Sequence, residues 1–304
     1  ETLKSWKENG CVEVIFGIES GSPTILKVME KNATIEMNIN ALKWTYEAGL
    51  STIIQIVIGM PGETDKTIKE TISFLKEVTQ YLYVENDKIL NYLSINYAQA
   101  LPGTPLYEYA RENGYINSSI DGEESYLENI SDTDAYRTDH FINYTKQPLL
   151  KVLSWRHLIT AEVEADYMIK NLSYNLSLLD VTSYFVGLVI NKVLRDKNKT
   201  PKTQNNVGHR DGYFNIKQSV FSPLFMNKFT SYFAHLIIII SVAFLRDASK
   251  SPLESIKLIF EYFMWTVKSK IYGLPKLPND NLRKFVQIYS QNSNLGSEAL
   301  RLGR

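Results

Sequence analysis

Cysteine is almost missing from this chain: Cys11 is the one thiol among 304 residues. An internal disulfide and any multi-cysteine metal site within the chain are thereby excluded, and a reduced, cytoplasmic setting is expected. Net charge is missing as well. Lys+Arg and Asp+Glu number 33 each, so no broad nucleic-acid surface is predicted. Histidine is scarce, and His140, His157, His209 and His235 show no paired metal-ligand spacing, so no metal site is predicted. No basic-then-apolar leader pattern opens the sequence. It starts at Glu1 rather than Met and runs almost at once into strand-like residues, as the middle of a longer chain would. Long apolar runs reduce to one, residues 229–245.

What is present is globular material. Hydrophobic residues make up 44% and charged ones 22%, enough for a core in one large domain or two ordinary ones. The first 115 residues read as repeated strand–helix units. Val12 to Glu19 is β-rich and ends in Ser20-Gly21-Ser22-Pro23, where Ser22 can cap a helix and Pro23 can begin it. That helix is expected to run to about Lys31, with Asn32 as a left-handed stop. A second helix after Thr34 carries Ile39, Leu42 and Tyr46 on one stripe and ends at Gly49. Ser51 to Ile58 is a second strand, closed by Gly59-Met60-Pro61-Gly62, and a helix follows around Ile68, Ile72 and Leu75. A third strand is expected from about Ile89 to Ala98, then a helix capped by Thr104 with Pro105 at its start. Alternation of this kind implies a parallel sheet. Three units are too few for a closed barrel, so the expected fold is a partial (β/α) barrel.

Strand parity divides the side chains between two faces. Ile15, Gly17 and Glu19 share a face with Gln55, Val57, Ser94 and Asn96. Val14, Phe16 and Ile18 share the other with Ile54, Ile56, Ile58, Leu93, Ile95 and Tyr97. The second set is bulky and apolar, as a face covered by helices should be. The first is small or polar, with its polar members toward the C-terminal strand ends, where α/β folds hold ligands. Glu19, Gln55 and Asn96 are therefore expected to share one cavity. A single buried Glu or Gln is more often a hydrogen-bonded structural group; recurrence on three successive strands is what points to a pocket.

These residues carry a resemblance. Gly17-Ile18-Glu19-Ser20-Gly21-Ser22 followed by Val28-Met29-Glu30-Lys31 resembles the fourth strand and following helix of radical S-adenosylmethionine (SAM) enzymes. Ile58-Gly59-Met60-Pro61-Gly62-Glu63-Thr64 is similar to their fifth-strand turn, and Asn96-Tyr97-Ala98-Gln99 with Pro102-Gly103-Thr104-Pro105 to their sixth strand and its exit. Together, in order, they cover about 115 residues. Glu at position 19 most resembles the subgroup with a cobalamin-binding domain. The resemblance implies SAM as cofactor, with Glu19 accepting from its ribose hydroxyls, and Gln55 and Asn96 as further polar contacts. It implies Lys31 pairing with the methionine carboxylate, against the plainer reading of a solvated helix-end lysine. Ala98 and Gln99 would offer backbone groups to the adenine edge.

The family also implies a 4Fe–4S cluster on three cysteines spaced C-x3-C-x2-C, reductive cleavage of SAM to a 5′-deoxyadenosyl radical, and an electron donor such as flavodoxin or ferredoxin. Cys11 stands alone and in no such spacing, and reads as a small buried hydrophobe. The chain as it stands is therefore expected to be catalytically silent and to form part of a longer enzyme, with cobalamin-linked methyl transfer or related carbon-skeleton chemistry as the implied reaction. The alternative is a non-catalytic binding or scaffold module built on the same barrel. No catalytic residue is assigned.

Beyond residue 115 the resemblance fades. Residues 116–145 hold Asp121, Glu123, Glu124, Glu128, Asp132 and Asp134 and are expected as a solvated connecting segment. From 146 to 304 a mostly helical C-terminal domain is expected, with a helix near Leu172 to Leu194 and a breaker-rich stretch from Lys197 to Gly212. The apolar run 229–245 fits a buried core helix, a membrane-surface or substrate-channel helix, or a short span of a bilayer about 30 Å thick. A small-molecule or lipid-like substrate suits this composition.

Overall fold

In the computed structural model the described residues are 1–86, 88–117, 119–131, 141–171, 222–245 and 252–272. The expected helix near Leu172–Leu194, the stretch 197–212, His140 and His209 lie outside them.

After a short helix α1 (Thr2–Glu8), a parallel sheet forms from β1 (Glu13–Glu19), β2 (Ser51–Ile58) and β3 (Leu93–Tyr97), in the order β1-β2-β3. Helices α2 (Pro23–Val28) and α3 (Ile35–Glu47) connect the first pair, and α4 (Asp65–Val78) the second. Each boundary has a local cause. Thr34 Oγ1 accepts from the Met37 N–H at the start of α3, and Gly49, at φ +75°, stops it in a conformation that suits glycine. The Thr64 N–H donates to Thr67 Oγ1 at the entry to α4.

Parity holds through β2 and β3, and through β1 as far as the register slip after Gly17. Ile54, Ile56 and Ile58 are fully buried, with Leu93, Ile95, Tyr97 and Ile18 beside them. They pack with Ile68, Ile72 and Leu75 of α4 in the main core, and Phe16 is partly buried against it. Burial of each such side chain stabilises by roughly 1.5–3 kcal/mol. The opposite face stays open: Ile15 is 55% exposed and Gln55 is exposed. A small parallel sheet with helices on one face and the other face open fits a partial barrel.

Four expectations are corrected. The third strand is shorter: Ile89–Tyr92 forms a 3₁₀ turn, held by the Asn91 N–H on the Lys88 carbonyl, because its run of apolar residues lacks the two-residue alternation of a strand. Helix α2 ends at Val28, and its left-handed stop is Glu30 at φ +50°, not Asn32. There the Lys31 N–H reaches the Leu26 carbonyl and the Glu30 N–H the Lys27 carbonyl, a Schellman closure. Ser22 occupies the helix N-cap position, but its hydroxyl donates to Glu70 instead of capping.

The connecting segment, finally, is not simply solvated. After α5 (Pro105–Glu112), residues Ile120–Ser131 form α6, Arg111 pairs with Glu123, and Ile116 and Tyr144 are buried at its ends. Beyond it α7 (Leu149–Asn171) puts Leu150, Val152, Leu153 and Ile159 into the same core as the sheet. The core is thus continuous across residue 146. Helix α8 (Lys228–Leu245) adds Ala234, Ile238, Ile239, Val242 and Ala243 to that core, and α9 (Pro252–Tyr272) follows. Among the described residues no helix is long and apolar enough to cross a membrane.

Candidate cofactor site

The C-terminal ends of the three strands converge on one turn-rich surface. The β1 exit is built residue by residue. Register slips between Gly17 and Glu19, and Glu19 takes φ +68°, a conformation that costs a non-glycine residue about 1–3 kcal/mol and collects at functional sites. Its carboxylate folds back over Gly17, where any Cβ would collide with Glu19 Oε1. Ser20 is buried, its hydroxyl against Thr71 Oγ1 at 3.2 Å. Gly21 lies so close to α4 that a Cβ would come within 2.6 Å of Phe74 Cβ and 2.7 Å of Thr71 Cα. Each letter of Glu-Ser-Gly-Ser thus has its own steric or hydrogen-bonding reason.

The Schellman closure of α2 delivers Lys31 to the same place. Its Nζ stands 3.3 Å from Glu19 Oε1, with the two side chains 38% and 25% exposed. Beside them, Gln55 is paired in register with Gly17 on one side and Ser94 on the other, and Asn96 Nδ2 donates to Ser94 Oγ at 3.2 Å. Glu19, Lys31, Gln55 and Asn96 therefore share one open face. Where one shared cavity was expected, that face is open surface at Ile15 and Gln55. Ala98 is buried and its N–H donates to the Ile58 carbonyl at 2.8 Å, while the Gln99 carbonyl accepts from Leu101. Both of these backbone groups already have partners inside the chain.

Sequence reasoning passed over Glu63. Gly59 turns at φ +90° and Gly62 at +85°, and between them the chain bends so that Glu63 Oε2 accepts the N–H groups of Gly59 and Met60, the latter at 3.2 Å. Glu63 Oε1 is buried without a partner. Burial pushes this carboxyl up to about 8, against the two N–H groups that hold it down. The signal was present: an acid four residues after the strand-closing glycine can reach back to the turn's own amides. Below this turn lies a second apolar cluster, with Ile25, Met60, Ala98, Leu106, Tyr109, Ile116 and Tyr144, and Tyr126 donates to the Ala100 carbonyl at 2.8 Å. The strand ends rest on a packed floor.

On the helical side, a cavity of about 450 Å³ is lined by Lys76, Glu162, Asp166, Phe225 and His235. Glu162 there holds Lys76 at 2.7 Å and stands 3.7 Å from His235 Nε2. Burial lowers the His235 imidazole below its ordinary range while Glu162 pulls it the other way. These charges neutralise one another, so this cavity offers less to an ionic ligand than the open face does. Among the described residues no group of three or more His, Cys, Asp and Glu side chains could hold a metal ion. Cys11 is half-buried, its Sγ donating to the Glu13 carbonyl.

A parallel α/β sheet with an acid and a base near its strand ends has them where barrel-type folds place their ligand sites. The comparisons narrow the class. Residues 1–75 match the model of the radical SAM superfamily. It is 36% identical over 116 residues to an uncharacterized methyltransferase of Pyrococcus horikoshii, covering 38% of this chain and 23% of that protein. It is 32% identical over 71 residues to the anaerobic magnesium-protoporphyrin IX monomethyl ester cyclase of Cereibacter sphaeroides (23% and 12%). To a tRNA-2-methylthio-N(6)-dimethylallyladenosine synthase of Clostridium novyi it is 37% identical over 75 residues (23% and 16%). The chain thus spans less than a quarter of each of these relatives.

Proposed function

We propose that this chain supplies the SAM-binding face of a radical SAM enzyme that transfers a methyl group or remodels a carbon skeleton. The observation that carries the reading is the strained Glu19, its carboxylate laid over Gly17 and set 3.3 Å from Lys31. SAM presents two ribose hydroxyls and an amino-acid end with one carboxylate. An acceptor-only carboxylate suits the first and an ammonium the second. The residues present fit SAM. The Glu19–Lys31 pair would open toward the two ends of the ligand, with Gln55 and Asn96 along the same face. Bound SAM would supply carbon-radical chemistry; this chain's residues bind and orient it.

The iron–sulfur cluster is a different matter. Cys11 is the only thiol of residues 1–304, so three cluster thiolates would come from outside them, and no step is assigned here to the cluster. The same lone cysteine favours the second reading, a non-catalytic binding or scaffold module derived from a radical SAM barrel. Cobalamin enters only through the likeness of the Glu19 motif to the cobalamin-linked subgroup. An electron donor of the flavodoxin or ferredoxin kind and a small or lipid-like substrate complete the proposal.

The test is SAM binding by calorimetry to the cluster-loaded enzyme that contains this chain. Glu19→Ala removes a charge-assisted acceptor and should weaken SAM roughly tenfold to a hundredfold. Lys31→Ala should weaken it more at low salt than at high, since Lys31 is partly exposed. Unchanged affinity in Glu19→Ala, with circular dichroism intact, would make Glu19 structural and end the SAM reading.

A further inference from the structure

Helix α9 turns an apolar stripe away from the other described residues. Its inner side is anchored. Ser255 Oγ donates to the Ala243 carbonyl at 2.7 Å, Leu258, Ile259 and Tyr262 pack on the main core, and Lys151 Nζ lies 4.3 Å from the centre of the Trp265 ring. At about 100° per residue, these positions centre on one side of the helix. Ile256, Phe260, Phe263, Met264, Val267 and Ile271 fall on the opposite side, in a band about 100° wide. All six are exposed, Phe260 by 63% and Ile271 by 67%. Three lysines edge the band: Lys257 and Lys268 adjoin it on one flank and Lys270 on the other. Glu254 and Glu261, the acids of the helix, come only after the lysines on the way round.

We infer that this face of α9 lies on an anionic lipid surface, in the plane of the headgroups. The order of residues around the helix selects that occupant. Phenylalanine, methionine and branched aliphatic side chains would enter the acyl boundary, lysine stems would run along it, and their ammonium groups would emerge among lipid phosphates. A second protein would be served equally well by acids beside the stripe; a negatively charged bilayer would repel them, and here both acids stand behind the lysines. The helix is 21 residues long and lies along the protein with its inner side packed, a geometry for lying on a membrane rather than crossing it. The inference does not depend on SAM binding, so either can fail without the other.

The experiment is co-flotation of the full 304-residue chain with extruded vesicles, of phosphatidylcholine alone or with about one quarter phosphatidylglycerol. The chain should float with the anionic vesicles, and binding should fall on the order of tenfold or more on neutral vesicles or in high salt. Phe260→Ser with Phe263→Ser should lose roughly tenfold per residue. Lys257→Glu with Lys268→Glu should abolish the preference for anionic lipid. Circular dichroism should match the wild type in both variants, because these side chains face outward. Equal recovery with and without vesicles, or phenylalanine variants that float as well as the wild type, would overturn the inference. So would a lipid-free dimer in sedimentation velocity that Phe260→Ser dissociates, which would make a second copy the occupant.

Discussion

Replacing Glu63 with glutamine should remove a pH dependence from the stability of the fold. Glu63 is 1% exposed, and its carboxyl is pushed by burial from 4.5 to about 8. Unfolding returns it to the lower value. Between the two, the folded chain holds a proton that the unfolded chain has released. The stabilising contribution is therefore full below pH 4.5 and lost as pH rises through about 8. At about 1.4 kcal/mol per unit of difference, on the order of 4 kcal/mol should disappear between about pH 5 and pH 9. Glutamine has the same shape, keeps a carbonyl oxygen for the Gly59 and Met60 N–H groups, and does not titrate. Urea unfolding followed by circular dichroism across this range should show a wild-type stability that falls relative to Glu63→Gln, with the two chains similar near pH 5 and the variant more stable near pH 9. A constant difference between them at every pH would refute the argument, because Glu63 would then not carry the proton.

Two further outcomes are expected. Gly21→Ala puts a methyl group 2.6 Å from Phe74 Cβ and 2.7 Å from the Thr71 backbone, which should destabilise by about 3 kcal/mol; an unchanged urea midpoint would show that α4 moves freely away from the β1 exit. The 304-residue chain, reconstituted anaerobically with iron and sulfide, should take up no four-iron cluster, since Cys11 is its only thiol; near four irons per chain with the matching absorbance would contradict this.

Much of the strand layer was legible because one physical rule governs it. A side chain on a parallel strand faces either a helix or the open side, and alternation writes that choice into the sequence every second residue. Ile54, Gln55, Ile56, Val57 and Ile58 therefore predicted their own burial, and the ends of β2 coincide with the sequence boundaries. Gln55 and Asn96 fell on one face by the same rule, whereas Glu19 reaches that face through a register slip and a left-handed backbone that alternation does not encode. What failed was local. Ile89–Tyr92 is apolar at every position but Asn91, and such a run suits a buried turn as well as a strand. The segment 116–145 is acidic on average, yet Ile116, Tyr126 and Tyr144 anchor it, and an average conceals three anchors.

The least legible features were those in which a side chain serves its own backbone. Glu63 reads as a turn-end acid, and Glu19 as an ordinary strand-end carboxylate. Neither spelling shows that Glu63 reaches back to the amides of Gly59 and Met60, or that Glu19 adopts a left-handed backbone over a neighbouring glycine. Both depend on where glycines remove Cβ atoms. At Gly17 the missing Cβ leaves room for a carboxylate; at Gly21 it admits α4; at Gly59 it keeps the turn clear of Phe141, which a Cβ would approach to 2.9 Å. A glycine in a strand-end motif thus marks what must come close to the backbone there. In this chain two of the three mark side chains brought in from elsewhere in the fold, and Gly17 marks the carboxylate that the proposed cofactor would meet. The Glu-Ser-Gly-Ser and Gly-Met-Pro-Gly-Glu signatures are therefore packing statements first, and in the former the Glu19 carboxylate keeps Lys31 as its partner on the open face.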